Sequence, residues 1–272
     1  MIALVGQTVR DEIVHVDGSE EIRCGGAPIF AAQALTMAGV EAEVITRGGD
    51  AELQAHLGER GLPVTAGPAS ATFVSRLILR PDGLRDHELA SLGTPFSADD
   101  FAGWAAPVLD RASTVVVGTQ WRDDVSPLAL SALTAHGRRV VYDAQGLARP
   151  GLGPVRPSGP YDPAWLAGVT AAKFSDEEAV ALLGGTDAAA CARAGVPIVT
   201  ITYGEGGADV WSATTGQLHH VPADRIPRLA DTVGAGDMFT ALLAAALDAG
   251  ADPIAATEQA TRGVADVLRL RA

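Results

Sequence analysis

Asp231-Thr232-Val233-Gly234-Ala235-Gly236-Asp237-Met238-Phe239 is a glycine-rich turn that runs straight into an alanine-rich apolar stretch ending near Ala249. Glycines let backbone N–H groups approach an anion closely, and a helix start adds the partial positive charge of its dipole. Gly234, Ala235 and Gly236 are therefore candidates to stabilise negative charge developing on a transferring group. Asp237, a carboxylate in the first helical turn beside that anion site, can accept the proton of an attacking hydroxyl. Read without chemistry, Asp231 or Thr232 is a helix cap and the glycines form a tight opening turn. The apolar helix candidate that follows, 238–251, carries Asp248 and falls short of the roughly 20 apolar residues that span a bilayer, so it reads as buried core.

Outward from this turn the chain alternates β-rich and helical runs. Strands are expected at 2–5, 42–46, 114–117, 139–142, 169–172 and 198–202. Helices are expected at 29–38, 52–60, 126–135 and 176–183, several closed by a glycine such as Gly39, Gly61, Gly137 or Gly184. Such alternation predicts an α/β fold with a mainly parallel sheet. Two stretches, 12–24 and 72–92, read instead as short strands inserted where helices belong, and predict a small antiparallel flap. Isolated strand pairs are unstable in water, so the flap is expected to pack on the substrate site or on a second subunit as a homodimer contact. The segment 149–163 holds five prolines and three glycines and reads as a loop between core strands, not as a domain boundary.

The bulk composition narrows the function classes. With 47% apolar and 19% charged residues over 272 positions, the chain is globular and long enough to bury a large core. A formal net charge of −13 leaves no basic surplus for a nucleic-acid backbone or an anionic membrane. Cys24 and Cys191 supply neither a disulfide framework nor a C-x-x-C metal spacing. No basic leader with an apolar signal region is visible at residues 1–6, so a cytoplasmic location is expected.

The string around Asp237 resembles the D-T-x-G-A-G-D signature of the ribokinase / phosphofructokinase-B carbohydrate kinase family, and a Walker-type G-x-x-x-x-G-K-[ST] string is absent. The resemblance implies a ribokinase-like three-layer sandwich, one domain over 1–272 with a lid from about 12–24 and 72–92, and Asp237 as catalytic base. Cys24-Gly25-Gly26-Ala27-Pro28-Ile29-Phe30 is similar to the family's acceptor-side glycine pair, which implies that Gly25, Gly26 and Asp11 contact substrate hydroxyls. Lys173-Phe174-Ser175-Asp176-Glu177-Glu178 looks like the family's N-x-x-E element with Ser175 in place of asparagine. It implies that Glu178 helps place Mg²⁺ through water and that Lys173 borders the nucleotide, although Ser-Asp-Glu-Glu is also a capping sequence. Thr202-Tyr203-Gly204-Glu205-Gly206-Gly207-Ala208 resembles the T-x-G-x-x-G turn, which adds Thr202, Gly204 and Gly207 as nucleotide candidates beside a plain hairpin reading. ATP and Mg²⁺ are the implied cofactors, with a monovalent cation left open.

One departure and one further similarity point to a branch. Phe30 stands where ribokinase-like members often have asparagine, and Asp143-Ala144-Gln145-Gly146-Leu147-Ala148-Arg149 is similar to a D-x-Q-x-x-x-R element of the inositol 3-kinase branch. Gln145 and Arg149 then become substrate candidates, though Arg149 also suits a loop cap. The expected activity is phosphorylation of a small neutral sugar or cyclitol, myo-inositol first. A ribose, fructose or nucleoside kinase is the alternative, and a non-catalytic ligand sensor the second.

Overall fold

The computed structural model describes residues 1–49, 51, 53, 55, 58, 61–82, 85–135, 137–226 and 232–271. Its strands are β1 (Ile2–Gly6), β2 (Val9–Val14), β3 (Glu20–Gly25), β4 (Ala42–Arg47), β5 (Val64–Gly67), β6 (Phe73–Leu79), β7 (Arg85–Ser91), β8 (Thr114–Gly118), β9 (Arg139–Asp143), β10 (Gly153–Pro154), β11 (Ala171–Ser175), β12 (Ile198–Thr202), β13 (Ala208–Ser212) and β14 (Leu218–Val221). Nine of them form one sheet in the order β14-β13-β12-β11-β9-β8-β1-β4-β5. It is parallel from β12 to β5, and the β12–β13 and β13–β14 hairpins add antiparallel strands at one edge.

Period-2 alternation along the strands feeds two cores. Ile2 and Leu4 of β1 pack with Val116 and Val141 beneath Leu35, Met238 and Leu243, which come from the helices Ala27–Met37 and Ala235–Asp248. Ala3 and Val5 face the other way, with Val115, Val117 and Tyr142, toward Leu130 and Leu133 of the helix Pro127–Thr134 and Leu182 of the helix Asp176–Leu183. Strands covered on both faces are continuously apolar, as β1 and β8 are. The result is the three-layer α/β sandwich expected from the sequence. At the end of β4, the buried Arg47 forms a 2.6 Å ion pair with Asp100 and stacks on Phe96, pinning the helix Ala98–Ala102 to the sheet.

The flap segments belong to a second, five-stranded sheet, β10-β7-β6-β2-β3. The chain leaves β1 and reaches β2 after only Gln7 and Thr8. Pairing is antiparallel except between β2 and β6, whose parallel register (Val9↔Phe73 to Val14↔Ile78) corrects the expectation of a wholly antiparallel flap. The cause is the connection: between β3 and β6 the chain passes through core helix and strands, long enough to return in the same direction. Val9, Phe73 and Leu89 pack on Trp121, with the Phe73 and Trp121 rings stacked at 5.5 Å, so the sheet rests on the main body. The 149–163 loop supplies its edge strand, β10.

The strand expected at 169–172 lies at 171–175, because Val169 and Thr170 form the preceding turn and the polar Lys173 continues the strand. The helix expected at 52–60 falls mostly outside the described residues.

Candidate active site

The helix Ala235–Asp248 starts at Gly234, whose φ of 80° is left-handed, and no side-chain hydrogen bond caps it. Thr232 therefore does not play the capping role that a chemistry-free reading gave it; Asp231, the other cap candidate, lies outside the described residues. A Cβ on Gly234 would stand 2.2 Å from the Phe30 ring, so both conformation and contact demand glycine there. Of the three candidate anion-site amides, that of Ala235 already donates to Thr232 O at 3.1 Å.

One turn into this helix, Asp237 meets the carboxyl ends of the central strands. Asp143, the last residue of β9, is 2% exposed and receives Thr240 Oγ1 at 2.9 Å, Lys173 Nζ at 3.3 Å and the Gln145 backbone N–H at 3.1 Å. Lys173 comes from β11, directly beside Asp143 in register. Burial pushes the Lys173 ammonium toward neutrality, but Asp143, Glu178 and Asp237 outweigh that and hold it above its ordinary value. Its Nζ lies 3.0 Å from where a Gly236 Cβ would stand, so the charge sits against the helix start. Asp237 shifts oppositely: burial first, then the Asp143 and Glu178 charges, push its carboxyl up to about 7 against the pull of Lys173 and Arg149. A carboxylate of that basicity suits proton acceptance near neutral pH.

Glu178 forms a reciprocal capping box with Ser175: Ser175 N–H donates to Glu178 Oε2 at 2.8 Å, and Glu178 N–H to Ser175 Oγ at 3.2 Å. The capping reading thus holds, while the carboxylate still acts electrostatically on Lys173, Arg149 and Asp237. Among the described residues, no three His, Cys, Asp or Glu side chains are grouped to hold a metal ion.

On the acceptor side, Asp11 Oδ2 lies 3.4 Å and the Phe30 ring 3.5 Å from the Cβ position of Gly25. Burial raises the Asp11 carboxyl, opposed by a hydrogen bond from Ser75 and by Arg23 and Arg149. Arg149 is itself shifted down by burial, against Glu178, Asp237, Asp143 and Asp11, and its Nη1 reaches Gln120 Oε1 at 3.4 Å. Gln145 Nε2 approaches the same oxygen at 3.5 Å. Gly26 has φ 114°, and its Cβ would meet Gln7 O at 2.5 Å, so the backbone crossing alone requires glycine.

The structure therefore gathers Asp237, Gly234, Gly236, Lys173, Glu178, Arg149, Gln145, Asp11 and Gly25 at one end of the sheet. The 202–207 turn follows β12, the strand next to the one that carries Lys173. Thr202 pairs with Ser175 and its hydroxyl donates to Phe174 O at 3.3 Å, while Gly204 and Gly207 shape the β12–β13 hairpin, where a Gly207 Cβ would collide with Val221 O. Sequence reasoning left Asp143, Thr240 and Gln120 unassigned. Thr240 was within reach of it, since it lies three residues after Asp237 on the same helix face.

A pocket lined by Asp143, Asp237, Thr240, Pro28, Ala31 and Gly118 opens at the carboxyl ends of β1 and β8, where open α/β sheets bind ligands. This architecture is the ribokinase-like fold. The chain matches, with TM-score 0.82 and 22% identity over 99% of its length and 95% of the other's, a pyrophosphate-dependent kinase in the ribokinase family complexed with a pyrophosphate analogue and myo-inositol. It matches the Arabidopsis thaliana ribokinase complexed with ribose and ATP at 0.77 and 17%, covering 100% and 93%. A Burkholderia thailandensis nucleoside kinase in complex with inosine follows at 0.72 and 20%, covering 97% and 90%. Residues 150–264, which carry Lys173, Glu178 and the Asp237 turn, match the pfkB family carbohydrate kinase. The family read from the motifs is the one matched over 150–264, and the solved structures match the expected fold. No curated protein matches the chain.

Proposed function

We propose that this protein is a cytoplasmic kinase that transfers the terminal phosphoryl group of ATP to a hydroxyl of a small neutral sugar or cyclitol, with myo-inositol the first acceptor to try. The observation that carries the reading is Asp237: a carboxyl with raised proton affinity, in the first turn of a helix whose cap position is Gly234, with Lys173 alongside. Phosphoryl transfer needs positioning, charge stabilisation and one proton acceptor. Asp237 takes the proton of the attacking hydroxyl, the helix start and Lys173 face the phosphoryl oxygens, and Thr240 with Lys173 holds Asp143 in place. Asp11 accepts hydrogen bonds from acceptor hydroxyls, beside Gln145 and Arg149. Since the described residues hold no carboxylate cluster to chelate it, Mg²⁺ fits as an ion held by donor phosphates and water, with Glu178 reached through water. When bound, it neutralises donor charge.

A second donor, pyrophosphate, is favoured by one observation: Lys173 brings a full buried charge to the helix start, which serves a small dianionic leaving group with no nucleoside to anchor it. A structural neighbour uses pyrophosphate. For the acceptor, neutrality is argued by Asp11, while Arg23 is engaged by Glu21 at 2.6 Å. The deciding experiment is steady-state kcat/KM with ATP and with pyrophosphate across myo-inositol, ribose, fructose, adenosine and fructose 1-phosphate. A tenfold preference for the phosphosugar overturns the neutral acceptor, a preference for ribose or adenosine overturns the branch, and ligand binding without turnover points to a sensor. Among the described residues no helix is long and apolar enough to cross a membrane.

A further inference from the structure

The turn that presents the helix start is held in part from a distant point of the chain. Its cap residue is a glycine without a side-chain bond, and the Val233 side chain is 43% exposed. One restraint comes from Arg271, just beyond the helix Pro253–Arg269. Arg271 Nη1 donates to Val233 O at 2.8 Å, and Nη2 reaches Gln33 Oε1 at 3.4 Å. The guanidinium carbon lies 5.7 Å from the centroid of Phe30, the ring against which Gly234 rests.

One peptide plane connects these contacts to chemistry. The Val233 carbonyl and the Gly234 N–H belong to the same planar trans peptide and point in opposite directions. Fixing the oxygen on Arg271 therefore fixes the direction of the Gly234 N–H, on the side away from Arg271. A cation on the carbonyl also polarises the peptide and makes that N–H a stronger donor. The stack on Phe30 keeps the ring in the space that a glycine without Cβ leaves open, so turn and ring cannot drift independently.

We propose that Arg271 is a positioning residue for phosphoryl transfer: its fork fixes the Val233 carbonyl and its flat face holds Phe30, so that the Gly234 turn is aimed at the donor before substrates arrive. The proposal rests on the reading of this turn as the phosphoryl-transfer site. Arg271 touches neither substrate nor the proton in flight, and its effect belongs in kcat.

The test compares Arg271→Met, Arg271→Lys and Arg271→Ala. Misplacement of a catalytic group by about 1 Å costs on the order of 10²-fold, so Arg271→Met is expected to lower kcat by roughly 10- to 100-fold with KM values within about threefold. Arg271→Lys keeps the charge but not the fork or the flat face, and should recover no more than about threefold of that loss. Added guanidinium at low millimolar concentration should restore part of kcat to Arg271→Ala, a response that a merely structural role would not give. Wild-type kcat in Arg271→Lys, or a fall in melting temperature with kcat unchanged, overturns the proposal. Should the wild type phosphorylate no acceptor with either donor, the functional reading fails and the positioning claim is judged by calorimetric binding of inorganic pyrophosphate. Weakening of about tenfold or more in both Arg271→Met and Arg271→Lys then supports it. Equal affinity in Arg271→Lys and wild type, or no binding by the wild type, overturns it.

Discussion

Asp237→Asn separates the chemistry of this carboxyl from its cost to the fold. Replacing the carboxylate by an amide of the same shape leaves no group to accept the hydroxyl proton, and general-base loss typically lowers turnover by about 10²- to 10⁴-fold. Stability should move the other way. The folded protein raises this carboxyl from 3.8 to about 7, so the fold favours the protonated form. The penalty for ionising it is absent below about pH 4, grows between pH 4 and 7, and is complete above pH 7. About three units at roughly 1.4 kcal/mol each set a ceiling near 4 kcal/mol. Because Asp237 is only half-buried and Lys173 and Arg149 already offset the burial, about 1–2 kcal/mol is the expected part. For a chain of this size that corresponds to a melting temperature higher by a few degrees, roughly 2–8 °C, in Asp237→Asn at pH 8. Near pH 4 the two proteins should melt together. The assays are turnover with the best donor and acceptor pair, and thermal unfolding of both proteins from pH 4 to 8. In the wild type, kcat/KM should rise with pH through about 7 as the base ionises. Near wild-type turnover in the mutant would remove Asp237 from the base role, and a melting difference that is the same at pH 4 and 8 would refute the electrostatic argument.

Glu178→Gln is expected to raise the Mg²⁺ concentration for half-maximal rate severalfold by weakening a water-mediated link; an unchanged titration assigns Glu178 to capping alone. Gly234→Ala forces a side chain into left-handed backbone and into the Phe30 ring, so turnover should fall by about 10²-fold or more with a loss of about 1–3 kcal/mol in stability. Phe30→Ala in the same chain should return part of the stability, measured by denaturant unfolding, since only the collision is relieved. Asp100→Ala leaves Arg47 buried without its partner and should cost about 3–5 kcal/mol. Burial raises the Asp100 carboxyl, but bonds from Ser97, Trp104 and Arg47 overcome it and hold the group down at about 2. That stabilisation is full above about pH 4 and lost as pH falls through 2, so the difference between the two proteins should shrink over this window in acid unfolding curves.

The parts of this protein legible in its sequence are those written in adjacent residues. The Gly234 to Asp237 string announced a helix start with a carboxyl in its first turn, and the apolar runs of β1 and β8 announced a buried parallel sheet. What eluded the reading depends on distance along the chain. Asp143 becomes a site residue only because Lys173 and Thr240, 30 and 97 residues away, close on it. Lys173 also hid the end of a strand, since a charged residue after a buried run argues against further β structure until its partner is known. Gly26 shows the reverse case: it looked like a substrate contact, and its backbone crossing of Gln7 already explains it. Arg271 carried no local signal at all.

The second sheet, expected from the sequence to act as a lid, has a folding order implied by its pairing. Its strands come from three separate stretches of chain, and its central partners β2 and β6 lie about 60 residues apart, with core helix and core strands in between. Their registry has to wait until that intervening stretch has docked, because closing so long a loop brings no reward before the core exists. The pairing thus predicts an order of assembly, sandwich before second sheet, and the reverse order on unfolding. Neither could the second sheet be transplanted as a cassette: a graft would need three coordinated splices, one of them only two residues from the central strand β1.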